Sequence, residues 1–130
     1  MDFVIRSRTV AFEPNADVFV DDARSSVVVT VEVAGANPES LRVEIDDERH
    51  LVISGDRPRE TRSASGSFVQ KEISYGEFSK RIHLPVAVEY DGAAATYGDG
   101  VLAIALRISQ TAYRPTERTE IRMIVKRVPF

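Results

Sequence analysis

Ala95-Thr96-Tyr97-Gly98-Asp99-Gly100-Val101-Leu102-Ala103-Ile104-Ala105-Leu106 is the stretch whose reading decides the fold. Leu102, Ile104 and Leu106 alternate with small Ala103 and Ala105, which is the period of a half-buried strand. Gly98-Asp99-Gly100 supplies residues that accept positive φ, so a tight hairpin leads into that strand. Outward from here the same period recurs. Val27, Val29, Val31 and Val33 are all apolar, while the intervening positions run Val28, Thr30 and Glu32. Leu41, Val43 and Ile45 alternate with Arg42, Glu44 and Asp46, and Phe78, Ile82 and Leu84 with Ser79, Arg81 and His83. No segment keeps a 3.6-residue period for three turns. Strands are expected near 16–21, 25–34, 41–46, 50–55, 67–73, 77–84, 93–97 and 101–107. Asn37 before Pro38 reads as the cap of one short helical turn. The polar run 57–66 reads as an exposed loop. Many short antiparallel strands at this spacing make an all-β, two-sheet sandwich. It would occupy residues 14–107, between a short N-terminal arm (1–13) and an extended C-terminal tail (108–130). The tail is polar until it turns apolar again at Ile121-Arg122-Met123-Ile124-Val125.

Composition bounds the function. A chain of 130 residues is one domain with room for a core. The net charge of −3 argues against a dedicated nucleic-acid surface, which needs a basic patch. There is no cysteine, hence no disulfide framework and no thiolate chemistry. The first residues lack the apolar stretch of a secretory signal, and no run approaches a membrane span, so a cytoplasmic location is the default expectation.

Catalytic chemistry finds no footing. The two histidines, His50 and His83, could form a ligand pair if they met in space, and otherwise read as unrelated surface imidazoles. Asp46-Asp47-Glu48 could bind calcium but lacks the spacing of a known loop, so a solvated hairpin turn is the better reading, as it is for Asp21-Asp22. No phosphate-binding glycine loop and no Gly-x-Ser-x-Gly elbow is present. The sequence therefore predicts neither an enzyme nor a bound cofactor or metal.

Four passages in order resemble the small heat shock proteins, the Hsp20 or α-crystallin domain family, in their prokaryotic form. They are Val33-Ala34-Gly35-Ala36-Asn37-Pro38-Glu39-Ser40-Leu41-Arg42-Val43, Leu51-Val52-Ile53-Ser54-Gly55-Asp56-Arg57, Tyr75-Gly76-Glu77-Phe78-Ser79-Lys80-Arg81-Ile82-His83-Leu84-Pro85, and Gly100-Val101-Leu102. The resemblance implies an immunoglobulin-like β-sandwich that dimerises, assembles further, and holds unfolding client proteins without ATP. It implies that the segment 67–73, with Phe68 and Val69, is exchanged onto the edge of a neighbour's sheet, with Tyr75, Lys80 and Arg81 completing a dimer interface. The bland alternative is a surface loop. Where the family usually carries arginine two residues after the Phe of its Tyr-Gly-x-Phe strand, this chain has Lys80. Lysine lacks the bidentate fork, so it either snorkels to the rim or pairs with a carboxylate across the interface.

The family also carries an Ile-x-Ile/Val tail motif, which is degenerate here. Ile121, Met123 and Val125 share one side of an extended strand. The matching groove would be lined by Leu41, Val43 and Ile45 on one strand and by Ala93 and Ala95 on another. Docking between molecules is expected, against a tail that folds onto its own domain or stays disordered. Clients would be captured by the arm residues Phe3, Val4, Ile5, Val10 and Phe12 and by the groove. The arm is short for the family, which implies small assemblies or modest client capacity. The rival reading is a monomeric co-chaperone or adaptor that binds one defined folded partner.

Overall fold

The computed structural model describes residues 10–46, 49–110, 119–121 and 123–125. Among the described residues nine strands follow in chain order: β1 (Asn15–Asp21), β2 (Ser26–Glu32), β3 (Arg42–Ile45), β4 (His50–Arg57), β5 (Gly76–His83), β6 (Val88–Gly98), β7 (Val101–Ile108), β8 (Thr119–Glu120) and β9 (Met123–Val125). They form a five-stranded sheet, β1-β2-β7-β6-β9, and a four-stranded sheet, β5-β4-β3-β8. Every pairing is antiparallel except β6 with β9. No helix among the described residues is long and apolar enough to cross a membrane.

The core lies between the sheets and is made by the alternation read from the sequence. Val27, Val29, Val31 and Val33 are fully buried, as are Val43, Ile45, Leu51, Ile53, Leu102 and Ile104. The hairpin between β6 and β7 is closed by Asp99 and Gly100 alone, at φ of 54° and 78°. Two successive positive φ values twist the backbone as the paired strands require. Asn37 caps a single 3₁₀ turn, Pro38–Ser40, by accepting the Glu39 N–H on Oδ1 at 3.2 Å. Tyr97 joins the two ends of this region. Its hydroxyl donates to the Val33 carbonyl at 2.8 Å and accepts the Ala36 N–H at 3.3 Å, which satisfies two buried backbone groups.

Two expectations about elements are corrected. Residues 67–73 form no strand. This stretch pairs with no strand among the described residues, and a lone extended segment has no ladder to join. The strand expected at 93–97 begins earlier, at Val88, and runs through an irregularity between Glu89 and Ala94 where Gly92 takes φ of 83°. Extra residues, one of them a glycine at positive φ, let a strand bend without ending.

Candidate interaction surfaces

Three of the sheet borders are occupied by the chain's own segments. On the four-stranded sheet, the arm reaches β5. The Ala11 N–H donates to the Glu77 carbonyl at 2.7 Å, and Phe12 bridges to Phe78 with ring centroids 5.4 Å apart. The sequence places Phe12 among client-binding residues. The structure instead leaves it half-buried on its own core, beneath the Arg57 guanidinium at 4.3 Å from the ring centroid. Val10 stays exposed, and Phe3, Val4 and Ile5 lie outside the described residues.

The opposite side of the sandwich is closed by the tail. β8 pairs with β3, matching Glu44 to Glu120 and Ile45 to Thr119. β9 pairs with β6, matching Ala95 to Met123, Thr96 to Ile124 and Tyr97 to Val125. Between them Ile121 is only 4% exposed, and its N–H donates to the Val43 carbonyl at 2.7 Å. The structure therefore brings together the groove and tail residues singled out from the sequence. Leu41, Val43, Ile45 and Ala95 are buried, and Ala93 is half-buried against the same core. It does so within one chain. Within this one chain the tail lies along its own domain.

The fourth border is β1, and no strand of the described residues pairs with its outer edge. Val18 and Val20 pair in register with the fully buried Val29 and Val27, so they face the core side, yet they are 42% and 36% exposed. Phe19, on the other face, is 62% exposed. An edge of seven residues also leaves outward backbone N–H and C=O groups for another strand. The same chain carries an apolar segment without a sheet: Phe68, Ile73 and Val69 are exposed, the last completely. Lys71 holds its ammonium 5.8 Å from the Phe68 ring and 5.5 Å from the half-buried Tyr75 ring.

The charged residues expected at an interface are engaged inside their own chain. Lys80 sits on the core-side register, opposite Ile53, and reaches the rim, where its Nζ lies 2.9 Å from Glu13 of the arm. That is the snorkelling alternative, with a carboxylate from the same chain rather than from across an interface. Arg81 donates to the nearly buried Asp46 at 3.0 Å and lies 3.2 Å from His50 Nδ1. Asp46 also accepts the His50 backbone N–H at 2.8 Å. These partners correct the reading of Asp46 as part of a solvated turn, while Asp47 and Glu48 lie outside the described residues. Asp21 is, as read, a turn acid, accepting the Arg24 N–H at 3.2 Å. His50 and His83 are not unrelated. They are opposite each other on β4 and β5, with ring centroids 4.9 Å apart. Among the described residues no group of three or more acidic, histidine or cysteine side chains is placed to hold a metal.

Sequence reasoning missed Arg57. It donates from Nε to the Ser74 carbonyl at 2.8 Å and from Nη1 to the Ala34 carbonyl at 3.2 Å, while its plane covers Phe12. One side chain thus ties the arm, the turn after β2 and the return of the loop. The signal was present: Arg57 is in register with Leu51, Ile53 and Gly55, one step past the last core position of β4.

The model of the Hsp20/alpha crystallin family matches residues 20–123. A 17.8 kDa class II heat shock protein of Zea mays is 33% identical over 104 residues, covering 80% of this chain and 62% of that protein. A 19.0 kDa class II heat shock protein of Oryza sativa is 31% identical over 107 residues, covering 78% of this chain and 61% of that one. The chain thus spans about three fifths of these curated relatives. Among solved structures, heat shock protein 16.0 from Schizosaccharomyces pombe superposes with a TM-score of 0.68 at 28% identity, over 77% of this chain and 69% of that one. The hspA protein from Xanthomonas axonopodis gives 0.66 at 28% identity, over 78% and 98%. The likeness is not confined to prokaryotic members.

Proposed function

The chain belongs to the Hsp20/alpha crystallin family, and from that premise we propose that it is a chaperone of the holdase kind, capturing unfolding proteins on apolar surface without ATP. One observation carries the reading beyond the family name. The bare β1 edge, with its core-facing but exposed valines, and the sheetless apolar segment 67–73 occur on the same chain. Each is what the other lacks. A strand laid on β1 of a second copy satisfies the outward backbone groups and covers Val18 and Val20, which is strand addition with main-chain bonds for affinity and alternate side chains for register. Two copies exchanging segments in this way give a closed two-fold pair.

The surface that serves self-association in quiet conditions serves clients under stress. Unfolding proteins expose apolar patches, and burial of such patches is non-directional, so no exact fit is needed. Val10 and the β1 edge are the described candidates, with Phe3, Val4 and Ile5 of the arm proposed from the sequence. A single captured side chain gains about 1.5–3 kcal/mol, so each contact is weak and capture depends on several at once. Two measurements test this together. Light scattering of a heat-labile enzyme should fall in the presence of equimolar chain with no nucleotide, and a mass measurement at micromolar concentration should find no monomer. Undiminished aggregation would overturn the holdase reading, and a solitary monomer would overturn the exchange.

A further inference from the structure

We propose that the outer edge of β5 is a binding site for an extended segment in which an aromatic residue is followed by a carboxylate. The arm's own Ala11-Phe12-Glu13 is its resident ligand, and a segment of the same chemistry in an unfolding client takes its place. The client's part rests on the holdase reading, and the site itself stands without it.

Each part of the resident segment meets a matching group. The Ala11 N–H donates to the Glu77 carbonyl at 2.7 Å, and Phe12 bridges to Phe78 in parallel register. This is strand addition to a sheet edge. The Phe12 ring has two partners. The Phe78 ring lies 5.4 Å away between centroids, tilted by 41°, and the Arg57 guanidinium lies 4.3 Å from the Phe12 centroid. A tilted ring pair and a cation over a ring face both require a π system, so the slot selects aromatic over aliphatic side chains. The Glu13 carboxylate then stands 2.9 Å from Lys80 Nζ.

The receptor side is assembled independently of the arm. Arg57 is held by the carbonyls of Ser74 and Ala34, and Phe78 is part of the core on a strand paired with β4 along its length. Gly76 keeps the approach open, since a Cβ there would lie 3.1 Å from the Ala11 Cβ. The ligand side is held more loosely. An isolated bridge, not a ladder, ties its backbone, Phe12 is half-buried, and the Glu13 side chain is 63% exposed. An exposed ion pair adds little. The arm therefore keeps its place chiefly through its tether, which holds it at a roughly millimolar effective concentration. Once it lifts, the Glu77 carbonyl, the flank of Phe78 and the two cations of Arg57 and Lys80 form a preorganised slot.

The test uses a fluorescently labelled peptide with the sequence of residues 10–14 and the full chain carrying Phe12→Ser, which empties the aromatic slot. Ala11→Pro is the second receptor, because it removes the N–H given to Glu77. Thermal melting checks that each is folded. Anisotropy should show saturable binding to both, and wild type should bind at least tenfold more weakly because its own arm competes. A peptide with serine at the phenylalanine should lose roughly 10- to 100-fold in affinity. With Lys80→Glu added to the receptor, a peptide with lysine at the glutamate should overtake the original one. Equal binding by wild type and variants, no saturable binding, or indifference to the aromatic would overturn the site. Unfolding of both receptors would show that the arm is an integral strand and not a replaceable ligand. Saturating peptide should also reduce the suppression of client aggregation by the Phe12→Ser chain. If it binds and suppression is unchanged, clients do not use the slot. If the chain suppresses no aggregation even without peptide, the holdase reading fails while the site remains.

Discussion

Replacing Phe68 and Val69 together by serine should separate self-association from folding. Val69 is wholly exposed in the single chain and Phe68 is more than half exposed, and neither belongs to the core cluster. The double variant should therefore keep the thermal stability of the isolated domain within about 0.5 kcal/mol, the usual range for surface changes. In a strand laid on β1, adjacent residues point to opposite faces, so at least one of the two is buried against Val18, Val20 or Phe19. Burying one such side chain is worth about 1.5–3 kcal/mol. A two-fold pair contains the contact twice, which makes the loss about 3–6 kcal/mol. At 1.4 kcal/mol per factor of ten, the dissociation constant should rise roughly 10²- to 10⁴-fold. Sedimentation equilibrium of wild type and variant over a wide concentration range measures this directly. An unchanged dissociation constant would refute the assignment of 67–73 to the interface. A matching loss of monomer stability would refute the claim that the segment has no role in its own domain.

Three further substitutions test the fold that supports these surfaces. A Cβ built on Gly55 meets Phe78 Cζ at 2.6 Å and Leu41 Cδ2 at 3.0 Å, so Gly55→Ala should cost about 1–3 kcal/mol by overpacking. Urea denaturation should show part of that cost relieved by Phe78→Leu in the same chain. Tyr97→Phe strands the buried Val33 carbonyl and Ala36 N–H and should cost about 1–3 kcal/mol, read as a melting-temperature drop of roughly 4–8 °C per kcal/mol. Arg57→Ala should speed limited proteolysis at both the arm and the 58–74 loop, because one guanidinium holds both. Arg57→Lys should fail to restore protection, since an ammonium cannot stack on Phe12 and bond two carbonyls as a planar fork does. Full rescue by lysine would mean the charge alone matters.

The sequence made the fold legible wherever one side chain in two had to be dry. Val27 to Val33, Leu41 to Ile45 and Leu102 to Leu106 are alternations that only a strand satisfies, and all are core. Asp99-Gly100 and Asn37-Pro38 were equally plain, because backbone conformation there depends on the residues themselves. What could not be read was who pairs with whom across the chain. Lys80 gave no hint that its carboxylate would be Glu13, 67 positions earlier in the chain. His50 and His83 became neighbours only once β4 and β5 were in register. The groove residues and Ile121 were recognisable from the family resemblance, but whether they meet within a chain depends on tether length and register, which no local pattern encodes.

The unequal treatment of the sheet borders has a geometric origin. Five strands face four, and the tail ties β9 to β8 on one side, so the extra strand overhangs on the other. That strand is β1. Its core-facing valines are part of the hydrophobic pattern, yet Val18 and Val20, in register with fully buried Val29 and Val27, remain more than a third exposed. The arm covers the neighbouring border at β5 with Phe12, and among the described residues its backbone reaches Glu77 and Phe78. In the proposed exchange, the 67–73 segment of a second copy would extend the sheet at β1 and cover the flank of Val18 and Val20. Association of this kind strengthens with apolar burial and requires an extended segment free to move, and the same two requirements describe the capture of an unfolding chain. Under the proposed function, an edge strand and a sheetless apolar segment on one domain would couple self-assembly to client binding through a single physical term, the burial of exposed valine, isoleucine and phenylalanine.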